Sequence, residues 1–102
     1  METCIKPAMV KKKNMKTAAT NEILEYIKSK FEIHNSQFVN FWDADNCAFG
    51  INNLDKSILI YISTFDKNEN NYYLEIEYTN RENEIYVNIN RQNLKKKLQN
   101  IL

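Results

Sequence analysis

Between Ser57 and Asn90, apolar and polar positions alternate with period two in three successive segments. Ile58, Ile60 and Ile62 share one face of Ser57–Thr64. Tyr72, Leu74, Ile76 and Tyr78 share one face of Asn71–Thr79, and Ile85, Val87 and Ile89 share one face of Glu84–Asn90. Alternation of this kind, rich in β-branched and aromatic residues, predicts three half-buried strands. The connectors FDKNENN and NREN are too short for a crossover helix, so the strands run antiparallel. Ten apolar side chains then face one way and require a cover.

Both flanks supply covers. Residues 20–31 place Ile23, Leu24, Ile27 and Phe31 on one helical stripe, with Thr20 as the expected N-cap and Glu22 in the first turn, where the macrodipole favours an acid. Residues 91–102 place Leu94, Leu98, Ile101 and Leu102 on another, with Asn90 as the cap. Between the first helix and the strands, residues 37–53 read as a hairpin. Phe38, Val39, Phe41 and Trp42 form one arm and Cys47, Ala48, Phe49 and Ile51 the other. Asp43-Ala44-Asp45-Asn46 supplies the turn chemistry. Gly50 inside the second arm marks a bulge or a close backbone approach. This hairpin either joins the main sheet or folds as a flap over one edge. The expected architecture is a single α+β domain over residues 17–102. It has a four- to five-stranded antiparallel sheet in the order α-ββ-βββ-α and two helices packed on one face. Residues 1–16, with Pro7 and the run Lys11, Lys12 and Lys13, read as a flexible basic tail.

Composition adds a charge pattern. The net charge of the 102 residues is +1, but residues 1–16 hold five Lys against one Glu and residues 91–102 hold Arg91, Lys95, Lys96 and Lys97 with no acid. Each end is therefore +4, leaving −7 for residues 17–90. Cys4 and Cys47 allow one disulfide at most, and with Cys4 in the expected tail a structural bridge is not expected. No run approaches the roughly 18 apolar residues of a membrane span, and the lysines near the N-terminus precede no apolar signal region. A reducing, cytoplasmic setting is the expectation. Sixteen Asn, 12 Ile and 12 Lys favour codons rich in A and T, which points to a bacterial or phage gene.

The candidate chemistries mostly exclude themselves. His34 is the one histidine, and nothing in the sequence sets an acid or nucleophile beside it. Cys4, Cys47 and His34 have no paired metal-ligand spacing. Asp43-Ala44-Asp45 opens like a calcium loop, but Ala48 stands at its glycine position and Leu54 at its closing glutamate. One glycine in the whole chain rules out a phosphate cradle. No enzyme activity, metal or cofactor is expected.

What remains is the sheet face opposite the helices, where Leu59, Tyr61, Tyr73 and Tyr86 are expected beside Glu75, Glu77, Glu84 and Asn88. Tyrosines bury rigid area and keep a polar handle, and acids steer basic partners. Tyr61, Tyr73, Glu75, Glu77 and Tyr86 are the expected partner-binding residues, with strand addition at a sheet edge as a second docking mode. The expected function is a non-enzymatic protein-binding domain. It would be a small inhibitor of a larger toxin, nuclease or defence effector, of the toxin-immunity or anti-CRISPR kind, an expectation resting on size, composition and exclusion. The alternative is a nucleic-acid binder using Lys11–Lys13 and Lys95–Lys97. Against it, the acids flanking the tyrosines give the sheet the wrong sign for stacking bases.

Overall fold

The alternating segments become strands where the pattern puts them. In the computed structural model, which describes residues 16–102, the elements in chain order are α1 (Ala18–Lys30), β1 (Phe38–Val39), β2 (Ala48–Asn52), β3 (Ile58–Ser63), β4 (Tyr72–Tyr78), β5 (Glu84–Ile89) and α2 (Arg91–Gln99). The five strands form one antiparallel sheet in the order β1-β2-β3-β4-β5. The 37–53 hairpin therefore joins the main sheet. Its first arm is shorter than expected, because after Val39 the chain turns into a 3₁₀ segment, Asn40–Trp42, instead of continuing as strand.

One face of the sheet carries the core. Phe49, Ile51, Ile60, Ile62, Tyr72, Leu74, Ile76 and Ile89 meet Ile23 and Ile27 of α1 and Leu94 and Leu98 of α2 in one buried cluster. Both helices thus cover the same face, as their stripes require. Ile101 and Leu102 follow α2 and pack, partly buried, against this cluster. The Asn90 side chain caps α2 by accepting from the Asn93 amide at 2.8 Å.

The start of α1 corrects the sequence reading. Thr17, not Thr20, is the N-cap, and its hydroxyl accepts from the Thr20 amide. Thr20 is instead fully buried, its hydroxyl 2.7 Å from those of both Thr17 and Thr64. The Thr17 amide itself donates to the Asn46 carbonyl at 2.8 Å, which satisfies one of the N–H groups that a helix start leaves without an intrahelical partner. Of the tail expected over residues 1–16, only Lys16 lies within the described residues. Its ammonium donates to the carbonyls of Trp42, Asp45 and Ala48 at 2.8, 2.5 and 2.8 Å. Burial pushes its pKa down, against the opposing pull of Asp45 and Asp43.

The second correction is the phase of β5. Tyr72 pairs with Ile89 and Leu74 with Tyr86, so two residues of β5, Val87 and Asn88, stand against Tyr73 alone. This is a β-bulge, and it exchanges the faces of the residues that precede it. Ile89 enters the core, whereas Ile85 and Val87 are 54% and 57% exposed on the other side. Tyr86 and Glu84, opposite Leu74 and Ile76, turn toward the helices. The Lys67 ammonium fastens the bulge from the β3–β4 loop, donating to the Val87 carbonyl and to Asn88 Oδ1.

Contrary to the expectation of no structural bridge, Cys47 is buried and disulfide-bonded; the other cysteine of the chain, Cys4, lies outside the described residues. Among the described residues, no helix is long and apolar enough to cross a membrane.

Candidate protein-binding face

Alternation places Gly50, Tyr61 and Glu75 side by side on the face away from the helices, through the pairs Gly50–Tyr61, Tyr61–Glu75 and Glu75–Ile85. The single glycine of the chain is needed here for space. A Cβ on Gly50 would stand 2.5 and 2.7 Å from the six-membered ring of Trp42. The 3₁₀ segment, held by Lys16, thus lays Trp42 across the backbone of β2. The expected close approach at Gly50 is therefore present, and the covering group is an indole.

From that indole a row of rings crosses the sheet. Phe41 meets Trp42 edge-on at 5.0 Å, Trp42 meets Tyr61 at 5.0 Å, and Tyr61 meets Tyr73 edge-on at 5.9 Å. Such spacings and angles are those at which ring quadrupoles attract. Phe41, 78% exposed, ends the row on one side; Ile85 and Val87 continue it on the other. Tyr73 donates its hydroxyl to Glu75 Oε1 at 2.9 Å, and Asn83 donates to Glu75 Oε2 at 3.2 Å. Glu77 follows on the same face and is exposed.

Two phenols titrate abnormally. Burial beside the row raises Tyr61, helped by the negative charges of Asp45 and Glu75. The hydrogen bond that Tyr73 donates to the Glu75 carboxylate raises Tyr73, because ionising the phenol would destroy that bond.

Of the five expected partner-binding residues, Tyr61, Tyr73, Glu75 and Glu77 share this face. Tyr86 does not, and the bulge is the reason. Its ring lies on the helix side under the Lys97 ammonium, 5.0 Å from the centroid, and its hydroxyl donates to Glu84 Oε1 at 2.7 Å. Glu84 also accepts from Tyr78 at 3.0 Å and from Arg81 at 2.6 Å. The bonds from Tyr86 and Tyr78, with the charges of Arg81 and Lys97, hold its carboxyl below the usual range. In place of Tyr86 the face has Phe41, Trp42, Ile85 and Val87. Gly50 was the one sequence signal for Trp42; nothing in the alternation of β5 announced Ile85 or Val87.

Of the two lysine clusters, only Lys95–Lys97 lies within the described residues. Lys11, Lys12 and Lys13 lie outside them. On α2, Lys97 is engaged by Tyr86, and Arg91 ties Glu22 at 2.8 Å while lying over Tyr26. Lys95 and Lys96 complete that helix surface. His34 is exposed at the entry to the 3₁₀ turn Asn35–Gln37, where its backbone N–H donates to Gln37 Oε1 at 2.9 Å. Among the described residues, no three His, Cys, Asp or Glu side chains gather as metal ligands would. An open groove of about 940 Å³ runs between the first turn of α1 and the β3–β4 loop, and neither His34 nor the ring row lines it.

Compared with protein-family models, curated proteins and solved structures, the chain matches none.

Proposed function

We propose that the chain is a non-enzymatic protein-binding domain. In this reading it is a small inhibitor that acts by direct binding on a larger effector, as toxin immunity proteins and anti-CRISPR inhibitors do. The observation that supports it is the outer sheet face, where a row of four aromatic rings ends in exposed Phe41, Ile85 and Val87 and is flanked by Glu75 and Glu77. Rigid rings with polar tips, exposed aliphatics and a rim of one charge are the ingredients of interface hot spots. Strand addition is the weaker docking mode, because β5 is bulged and Lys67 occupies the bulge, two devices that protect sheet edges.

The nucleic-acid alternative loses support on α2, where Arg91 and Lys97 are already engaged by Glu22 and Tyr86. The proposed compartment is the cytoplasm, on the two-cysteine composition. The disulfide at Cys47 weighs against it, since cytosolic thiols are kept reduced.

The test is capture of the partner from the source cell by the full chain, repeated with variants. Tyr73→Ala or Ile85→Ala should weaken capture by at least tenfold, since truncating a hot spot costs about 2 kcal/mol or more. Lys96→Ala should capture normally. Full capture by both face variants, with loss in Lys96→Ala, overturns the reading in favour of α2.

A further inference from the structure

Across the described residues, aromatic rings beside glutamates are closed by a cation. Arg81 lies 3.9 Å over the Tyr78 ring with its guanidinium 2.6 Å from Glu84, the same carboxylate that accepts the Tyr78 hydroxyl. Lys97 lies over Tyr86, whose hydroxyl donates to the other oxygen of Glu84. Arg91 lies 4.9 Å over Tyr26 and 2.8 Å from Glu22. Lys28 lies 5.4 Å over Phe38 and 3.7 Å from Glu25. The physics is shared: a ring face and a carboxylate both attract positive charge, and Arg81, Arg91 and Lys28 each satisfy both, while Lys97 covers a ring and acts on Glu84 only through its charge.

The outer face repeats the first two parts without the third. Tyr73 donates to Glu75 at 2.9 Å, and the Tyr61 ring stands edge-on beside Tyr73. The second oxygen of Glu75 receives only the neutral Asn83 amide. Among the described residues, no Lys or Arg lies over Tyr61 or Tyr73, or within ion-pair distance of Glu75 or Glu77. We infer that the partner supplies this cation: the outer face takes an arginine-bearing basic protein surface, its guanidinium laid on the Tyr61–Tyr73 rings and paired with Glu75 and Glu77. Arginine fits better than lysine. Its planar fork stacks on a ring while its N–H groups reach carboxylates in the ring plane, and residues two apart on a strand set such carboxylates about 7 Å apart. Phe41, Ile85 and Val87 then meet the apolar surround of that arginine. The inference rests on the proposed protein-binding role of this face and adds the chemistry of what binds there.

The test titrates the isotope-labelled full chain with a short synthetic peptide of alternating arginine and glycine, followed by amide NMR, with the lysine–glycine peptide in parallel. Shifts should centre on Tyr61, Tyr73, Glu75 and Ile85, and the arginine peptide should bind about threefold or more tighter than the lysine peptide. Glu75→Gln, checked by circular dichroism, should weaken it about fivefold. Shifts centred on Glu22 or Glu69, or equal binding of the two peptides, overturn the inference. So does concentration-dependent dimerisation of the chain that Glu75→Gln abolishes, because a second copy is then the occupant. Partner capture separates this inference from its premise. Capture lost in Tyr73→Ala but unaffected by Glu75→Gln removes the arginine and keeps the interface; capture unaffected by both removes both.

Discussion

The two faces of β3 and β4 are built from the same backbone and held by different forces. Toward the helices, Ile60, Ile62, Leu74 and Ile76 are at most 1% exposed and pack within the apolar cluster of the core. Toward solvent, Tyr61, Tyr73 and Glu75 are held by named pairs: ring on ring, hydroxyl on carboxylate. The inner face is stabilised by area removed from water, which is non-directional and large. The outer face is stabilised by directional contacts worth about 1 kcal/mol each. A surface of the second kind holds its side chains in place without depending on them for the fold. That is the property a binding face needs.

Truncating one residue on each side of β4 should show the largest difference between the faces. Leu74→Ala should cost about 2–5 kcal/mol in urea denaturation, as cavities in a closed core do. Tyr73→Ala, its neighbour on the other face, should cost about 1 kcal/mol or less. Equal losses would mean that the outer row is part of the core.

Gly50→Ala tests the one place where the outer face is itself closely packed. The added methyl collides with the Trp42 ring, so the indole must leave Tyr61. A loss of about 1–3 kcal/mol is expected, with tryptophan emission shifting to the red as the ring meets water. Since Trp42 is the sole tryptophan, the signal is unambiguous.

A smaller effect should follow Lys67→Ala, which removes the donor to Val87 and Asn88. We expect about 1 kcal/mol or less, together with faster amide exchange confined to residues 86–89. Exchange unchanged there would show that the bulge holds without its lysine.

The smallest effect is read by titration. Tyr61 and Tyr73 should ionise above the usual tyrosine value of about 10, and Glu75→Gln should bring Tyr73 back toward it, because the Glu75 bond is the leading cause of its shift. Both folded values are raised, so the associated stability is fully present below the unfolded value. It is lost as pH rises through the folded one. Ultraviolet difference absorbance of the phenolates checks both points, and a Glu75→Gln chain with Tyr73 unmoved would refute the pairing.

The three central strands, their antiparallel course, the Asn90 cap and the two covering stripes were legible in local pattern alone. These follow from local rules: a period of two or 3.6, a short connector, a side chain able to bond its own backbone. The same pattern also placed Tyr61, Tyr73, Glu75 and Glu77 together, because side chains within one strand, and across a regular pair, keep fixed relative faces. The rest depends on how the elements meet. The extra residue at Val87–Asn88 turns Tyr86 inward and Ile85 and Val87 outward, and alternation cannot announce it, since period two gives relative faces and says nothing of register against a neighbour. Thr20 is not the cap but is buried with its hydroxyl against that of Thr64, distant in sequence, while Thr17 caps in its place. Trp42 reaches Gly50 because a 3₁₀ turn replaces the end of a strand and Lys16 ties the Trp42 carbonyl of that turn to the carbonyls of Asp45 and Ala48. Each is a contact between residues far apart in the chain, and such contacts exist only once the sheet has formed.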